Sequence, residues 1–592
     1  MRIPRLSVRP AALAGMFLLL PLALRAGDDA FDRWVDDLAA AWVRADPESA
    51  TNAQYFTGAE QDALDRQLTP NTPEHRAARV ARARAALEAL AGFDRAKLDT
   101  AQRVSAAMLE WHLADTVAGE EFEDFRFPFQ QFSGLHVRVV NFLSQTHPIR
   151  NRRDVENYLA RLGQVAGKLD EGIAQAAERA GRGFLMPRFI YASALGQLER
   201  FLSSAPRDNV LVASLAERME KLADLSAAER AAFREQAEML VVDSIQPAFR
   251  RMQALLTEQM ARSTDDAGVW RLPGGDRAYA QALRRSTTTA LTPGEIHELG
   301  LKEVARIEGE MDGLLRQLGY TEGPVNLRYA KLNADSQPPA EPDPRPALLA
   351  RYEEILADAV KRADLIFDLR PKAPCEVKRE PPFTERTAAA HYTGPAADGT
   401  RPGIFWAPLP GPFFPVIGMK TLTYHEAIPG HHFQVALQGE MQELPRFRRD
   451  RVFGFISAYG EGWALYAEQL AAENNWYEGD IPGRLGQLQA ELFRARRLVV
   501  DTGLHAKKWT RQQAIDYGIG ASEVERYIVW PGQACSYKVG QLRILALRAK
   551  AREALGPKFD LKQFHNVVLR TGSVPLDVLE RVIDDWVASV RG

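Results

Sequence analysis

Cysteine is nearly absent from this chain: Cys375 and Cys535 are the only two in 592 residues. A disulfide scaffold and a thiolate metal cage are thereby excluded. Neither cysteine stands at ligand spacing. Each is explained as well by a small buried apolar residue as by a pair formed in an oxidising compartment. An excess of charge of one sign is also missing: 75 Lys and Arg against 77 Asp and Glu give a net charge of −2, which points away from nucleic acid and anionic surfaces as partners. Long apolar runs are missing after residue 24, so no later segment reaches the ~20 residues that a membrane span needs. The one apolar run, Ala11 to Leu24, follows Arg2, Arg5 and Arg9 and precedes Ala26. That is the pattern of an export signal over residues 1–26, with an uncleaved anchor as the alternative. No cysteine follows the run, so lipid attachment there is not expected, and the mature protein is expected to be soluble, exported and periplasmic.

What is present is helix. A hydrophobic content of 46% suits a sizeable core. Phe31, Trp34, Val35, Leu38, Ala39 and Trp42 recur at spacings of three and four, and stretches rich in Ala, Leu, Glu and Arg repeat that pattern to about residue 260. The irregular segment Phe127 to Gly134 reads as a turn or as a channel lining. The loop Ser263 to Asp276 is the best candidate boundary, dividing an N-terminal helical region (27–270) from a C-terminal region (271–592), both in one body. Thr292-Pro293-Gly294-Glu295 predicts a capped helix start, and His297 behind it reads as structural. Between residues 373 and 410, Pro and Gly break the chain into short extended pieces, which predict a small sheet. Within it Gly403 to Ala407 would be an edge strand able to pair with a substrate main chain.

The chemistry concentrates in Tyr424-His425-Glu426-Ala427-Ile428-Pro429-Gly430-His431-His432, which holds three of the eleven histidines beside a glutamate. Two neutral imidazoles hold a zinc ion, and an adjacent carboxylate that does not ligate takes a proton from the attacking water. The common spacing puts the two histidines four apart on one helix face, but here the fourth position is Pro429. On an unbroken helix a residue six later lies roughly 9 Å up the axis on the wrong side, and one seven later roughly 10.5 Å up, too far to share an ion. Pro429 must therefore break the helix. A bulge of two extra residues at Pro429-Gly430 would carry His431 to the second ligand position, with His432 as its rival.

The downstream segment Tyr459-Gly460-Glu461-Gly462-Trp463-Ala464-Leu465-Tyr466-Ala467-Glu468 resembles the third-ligand helix of the zinc aminopeptidases related to aminopeptidase N. By position that resemblance implies Glu461 as a zinc ligand, with Glu468 behind it. Together with L-V-V-D-T-G-L-H and P-G-Q-A-C-S-Y-K-V-G, the two segments resemble the bacterial family called domain of unknown function 885. That family in turn looks like a branch of the helical gluzincin metallopeptidases, the relatives of thimet oligopeptidase, angiotensin-converting enzyme and the Taq-type carboxypeptidase. The resemblance implies a mainly α fold: a large helical body with a deep channel, and a small antiparallel β-sheet next to the zinc-binding helix. It also implies a C-terminal tyrosine that hydrogen-bonds the developing oxyanion, with Tyr537 the first choice and Tyr527 the second.

Asp501 and His505 stand four apart and read either as a helix brace or as a channel-lining pair whose histidine steadies an oxyanion. Arg496 and Arg497 offer charge for a substrate carboxylate, although a surface role is the plainer reading. The expectation is a Zn2+-dependent hydrolase of short peptides, with His425, His431 and Glu461 on the metal, Glu426 as general base, and Tyr537 and His505 at the oxyanion. A zinc hydrolase of non-peptide amides and a non-catalytic exported binding protein are the alternatives.

Overall fold

The computed structural model describes residues 29–381, 385, 388–396 and 401–592. The export signal read at 1–26 lies outside them. Helices dominate from Asp29–Arg44 to Leu576–Arg591, and none of those described is long and apolar enough to cross a membrane. The largest hydrophobic cluster joins Phe31, Val35 and Leu109 to Phe405, Trp463 and Leu579, and a second joins Tyr158, Leu169 and Phe249 to Val500 and Tyr527. Each core thus draws on residues from both sides of the 263–276 loop. The capping box forms as the sequence predicts: Thr292 Oγ1 accepts the Glu295 N–H at 3.2 Å, and Glu295 Oε2 accepts the Thr292 N–H at 2.8 Å. The helix it opens, Pro293–Gln317, buries His297 against Thr502, with Nδ1 2.8 Å from Oγ1.

The sheet departs from the expected antiparallel arrangement. Strands β1 (Cys375–Arg379), β2 (His391–Thr393) and β3 (Gly403–Ala407) lie in the order β1-β3-β2, with β1 parallel and β2 antiparallel to β3. The strand expected at an edge, β3, is therefore central, and both sides of its main chain are already paired. Its position follows from its composition: Gly403, Ile404, Phe405 and Ala407 are all buried, as a middle strand requires. Cys375 and Cys535 are both free thiols.

The segment Phe127 to Gly134 is a turn, closed by the Gln130 side chain on Ser133 and on the Phe132 N–H. Its Phe129 is buried, whereas Phe132 stays exposed against Trp530 with ring centroids 5.6 Å apart.

The site is framed by α1 (Met419–Glu426), α2 (His431–Glu440), α3 (Ser457–Glu473), α4 (Ile481–Ala506), α5 (Ala521–Val529) and α6 (Ser536–Leu555). Helices α3 and α6 run side by side at unusually short range. A Cβ on Gly462 would fall 2.5 Å from the Gly540 carbonyl carbon, and one on Gly540 would fall 2.0 Å from the Ala458 oxygen. Gly462, next to Glu461, and Gly540 opposite it thus set the approach of the two helices.

Candidate metal centre

The chain between His425 and His431 forms a corner between two helices, not a bulge within one. Helix α1 makes its last backbone bond from the Ala427 N–H to Thr423 O at 2.8 Å, and α2 restarts at His431. Pro429 supplies no N–H to continue the ladder. Gly430 is required for space rather than for a left-handed dihedral: its φ is −81°, but a Cβ there would lie 2.0 Å from His425 O and 2.3 Å from Tyr424 O. Trp463 pins the corner by donating its Nε1–H to Pro429 O at 2.9 Å.

This corner turns both imidazoles toward α3. Glu461 Oε2 lies 3.7 Å from His425 Nε2 and 3.5 Å from His431 Nε2. One ligand atom from each of the three residues falls within 4.8 Å of the others, the one such His/Cys/Asp/Glu group among the described residues. The ring centroids of the two histidines are 4.8 Å apart and nearly perpendicular. His425 is buried, while the side chains of His431 and Glu461 keep 14% and 15% of their surface, so the cluster opens on one side.

His432, the rival ligand, faces elsewhere. Its Nε2 donates to Ala373 O at 3.1 Å and its Nδ1 accepts from the Tyr392 hydroxyl at 2.9 Å, so both nitrogens are spent tying α2 to the sheet. Burial pushes its pKa down to about 4.

The outer nitrogens of the two candidate ligands are held as well. Glu468, one per cent exposed, approaches His425 Nδ1 at 2.7 Å through Oε1, and its Oε2 has no partner. Arg494 stands 3.9 Å from the same Oε1. His431 Nδ1 lies 2.8 Å from Gln434 Nε2, which also bonds Gly460 O at 2.9 Å. With the Gln434 amide N–H fixed on Gly460 O, Nδ1 accepts from it and the neutral His431 ring carries its proton on Nε2; freeing Nε2 for a metal moves that proton to Nδ1 and breaks the Gln434 bond.

Electrostatics fit a cation. Burial alone would lower His425, but Glu461 and Glu468 outweigh it and raise its pKa to about 9. Burial would likewise raise Glu461, but the two imidazoles hold it far below the usual carboxylate range. A divalent ion would replace the imidazole protons as countercharge to these carboxylates, and two imidazoles with one carboxylate is a donor set that zinc takes. Glu426 is buried beside the cluster, and burial raises its carboxyl above the ordinary value.

Of the predicted oxyanion partners, Tyr537 lies on the helix packed beside that of Glu461. Tyr537 starts α6, where Ser457 and Ser536 touch through their Oγ atoms at 2.7 Å, and Gln541 Nε2 reaches Leu465 O at 3.2 Å. Glu461 and Tyr537 thus occupy neighbouring turns of adjacent helices. Burial raises the Tyr537 phenol, and Glu461 raises it further.

His505 does not join them. Its Nδ1 accepts the Val269 N–H at 3.2 Å and its Nε2 donates to Tyr527 O at 3.1 Å, so the oxyanion role read for it is corrected to a brace between backbone segments. Asp501 binds the Tyr279 hydroxyl at 2.6 Å and the Gly532 N–H at 3.0 Å. Tyr527, the second-choice phenol, is tied to Glu523 and Arg497.

Sequence reasoning missed Gln434 and Arg494; of its two readings of Arg497, surface charge and a carboxylate-binding group, burial removes the first. Spacing could have found Gln434, three residues after His431 on the same helix. Nothing local marks Arg494.

Comparison with known proteins agrees with this architecture. No curated protein matches the chain. A crystal structure from Colwellia psychrerythraea, provisionally described as a lipoprotein, is 33% identical with a TM-score of 0.86, over 93% of this chain and 99% of that one. A second structure, from Shewanella oneidensis and described as a lipoprotein of unknown function on the same provisional footing, is 18% identical with a TM-score of 0.69, over 94% of this chain and 99% of that one, and shows the same fold. A family model described as "Bacterial protein of unknown function (DUF885)" matches residues 47–583, and the chain belongs to that family.

Proposed function

We propose that the chain is an exported, zinc-dependent hydrolase of peptide bonds acting on short peptides, with His425, His431 and Glu461 as the zinc ligands. The observation that carries this reading is the convergence of two imidazole Nε2 atoms on one Glu461 oxygen, at 3.7 and 3.5 Å, with one side of the cluster open. Bound zinc would supply Lewis acidity, polarising the scissile carbonyl and strengthening the acidity of water.

The chain's own groups do the rest. Glu468 fixes the ring of His425 through Nδ1. Glu426, next to His425 and shielded from solvent, accepts the proton of the attacking water and passes it to the leaving amine; a carboxyl raised above its ordinary value is suited to both transfers. The Tyr537 hydroxyl donates a hydrogen bond where negative charge develops on the carbonyl oxygen. Export is supported by the N-terminal Arg-led apolar run and by the descriptions of the two solved relatives.

The test is metal analysis with digestion of a peptide library by the wild-type protein and by Glu426→Gln. The expected result is about one zinc per chain in both proteins, with turnover in the variant lowered by roughly 10²–10⁴-fold. Turnover preserved in Glu426→Gln removes that residue from the mechanism. Hydrolysis of acylated amines without hydrolysis of peptides would transfer the site to non-peptide amides, and a metal-free inert protein would leave a binding protein.

A further inference from the structure

Behind the ligands, the wall of the site holds a guanidinium with a donor to spare. Arg497, on α4, is 7% exposed. Its Nε donates to the Tyr527 hydroxyl at 2.9 Å and its Nη2 to Glu523 Oε2 at 3.0 Å, while its Nη1 is buried with no acceptor. Glu523 is already shared. Arg526 donates to its two oxygens at 3.0 and 3.2 Å, and spends its remaining arm on the neutral Gln533 amide oxygen at 2.7 Å. Two guanidiniums therefore face one carboxylate, and one buried positive charge is left over. Both an unpaired donor and an unbalanced buried charge are costly unless something else completes them.

The location of that charge gives it a use. The Arg497 guanidinium lies 4.4 Å from the centroid of the Tyr537 ring and 4.4 Å from that of Phe493. Tyr537 in turn lies near Glu461, whose carboxylate raises its phenol, so one tyrosine ring neighbours both the Arg497 guanidinium and a member of the metal cluster. A peptide spans at most ~3.3–3.6 Å per residue, so a carboxylate one or two residues past a scissile bond lies within roughly 4–7 Å of it.

We propose that Arg497 receives the free C-terminal carboxylate of the substrate peptide, which makes the chain an exopeptidase working from the carboxyl end. This rests on the hydrolase reading above. The incoming carboxylate supplies both the missing acceptor and the missing negative charge, and the planar fork of arginine is shaped for it. An acidic side chain near the peptide's end offers the same chemistry, so the test separates the two sources.

The wild-type protein is given two peptide pools, N-acetylated tetrapeptides with free C-termini and the same tetrapeptides as C-terminal amides. The expected kcat/KM is on the order of tenfold or more higher for the acids, as a charge-assisted hydrogen bond implies, with release of the last one or two residues. Arg497→Met should lower the acid pool to the level of the amides, and Arg497→Lys, which keeps charge without the fork, should fall between. Because the wild-type comparison needs no variant, a poorly folded Arg497→Met protein cannot hide the answer. Equal rates on acids and amides overturn the proposal and leave the hydrolase reading intact. Cleavage of amides confined to those with Asp or Glu near the end overturns it in favour of a side-chain carboxylate. If neither pool is cleaved while unblocked library peptides are, this proposal is overturned and the hydrolase reading stands; if no peptide of any kind is cleaved, both fall.

Discussion

Two clusters in this molecule pair histidine with carboxylate on neighbouring helical turns, and they have opposite characters. In the first, His425 and His431 each keep Nε2 turned toward Glu461, and their other nitrogens are held from behind by Glu468 and Gln434. In the second, His505 spends both nitrogens on backbone groups, and Asp501 spends its oxygens on Tyr279 and Gly532. The functional groups, imidazole and carboxylate, are the same. The difference lies in what remains free of backbone partners after the fold has satisfied its own polar groups, and only the first cluster has potential ligand atoms converging on one point beside an open side.

The sharpest way to break that comparison is to remove one carboxylate from each cluster. Glu461→Ala takes away one of three converging donors, so bound zinc should fall from about one per chain to near none after dialysis, measured by elemental analysis. Asp501→Asn should leave zinc stoichiometry unchanged, since Asp501 touches none of the three. Equal zinc loss in both variants would mean that the two clusters are not distinct sites.

Much of this was legible in the sequence, and the parts that were not share a cause. His425, Glu426 and Glu461 could be read because local spacing and motif type carry them, and the capping box at Thr292 because it is a four-residue contract with the backbone. Local spacing favours His431 but does not exclude His432, because the choice turns on the dihedrals of Ala427 to Gly430 and on a tyrosine forty residues upstream that claims His432. The misreadings came from long range. Val269, which occupies His505, lies 236 residues away in sequence. The central position of β3 depends on β1 closing its other side. Arg497 looks like surface charge until Phe493, Tyr527 and Tyr537 surround it. Patterning tells a helix which face to bury, but not which distant polar group will reach a given nitrogen first.

A smaller effect is expected one shell out. Glu468→Gln keeps the size of the side chain but removes the charge behind His425 Nδ1, so zinc affinity should drop by roughly 10–100-fold while stoichiometry at saturating metal is retained. Competition with a chelator of known affinity measures it. Unchanged affinity would show that Glu468 only fills space, and the first cluster would then owe less to its backing than the hydrogen bond at 2.7 Å implies.

A last expected effect, on stability rather than on metal binding, separates the clusters by pH. Burial lowers His505, His136 and His565 to about 4, and His112 and His147 to about 3. The unfolded chain therefore binds more protons than the folded one below pH 6.5, and the stability these neutral imidazoles contribute is present above 6.5 and lost as pH falls toward 4. Asp501, beside His505, slopes the other way. Burial raises it to about 7, with the Tyr279 and Gly532 donors opposing, so its contribution is full below the unfolded value near 3.8 and is lost as pH rises through about 7. Asp501→Asn removes that low-pH contribution, and its loss of stability on acidification from 7 to 4 should be steeper than the wild type's, by up to about 1.4 kcal/mol per pH unit. Urea unfolding at several pH values measures the slope. An unchanged slope would mean that the Tyr279 and Gly532 donors keep Asp501 ionised in the folded protein, so that the second cluster, like the first, holds a charged carboxylate.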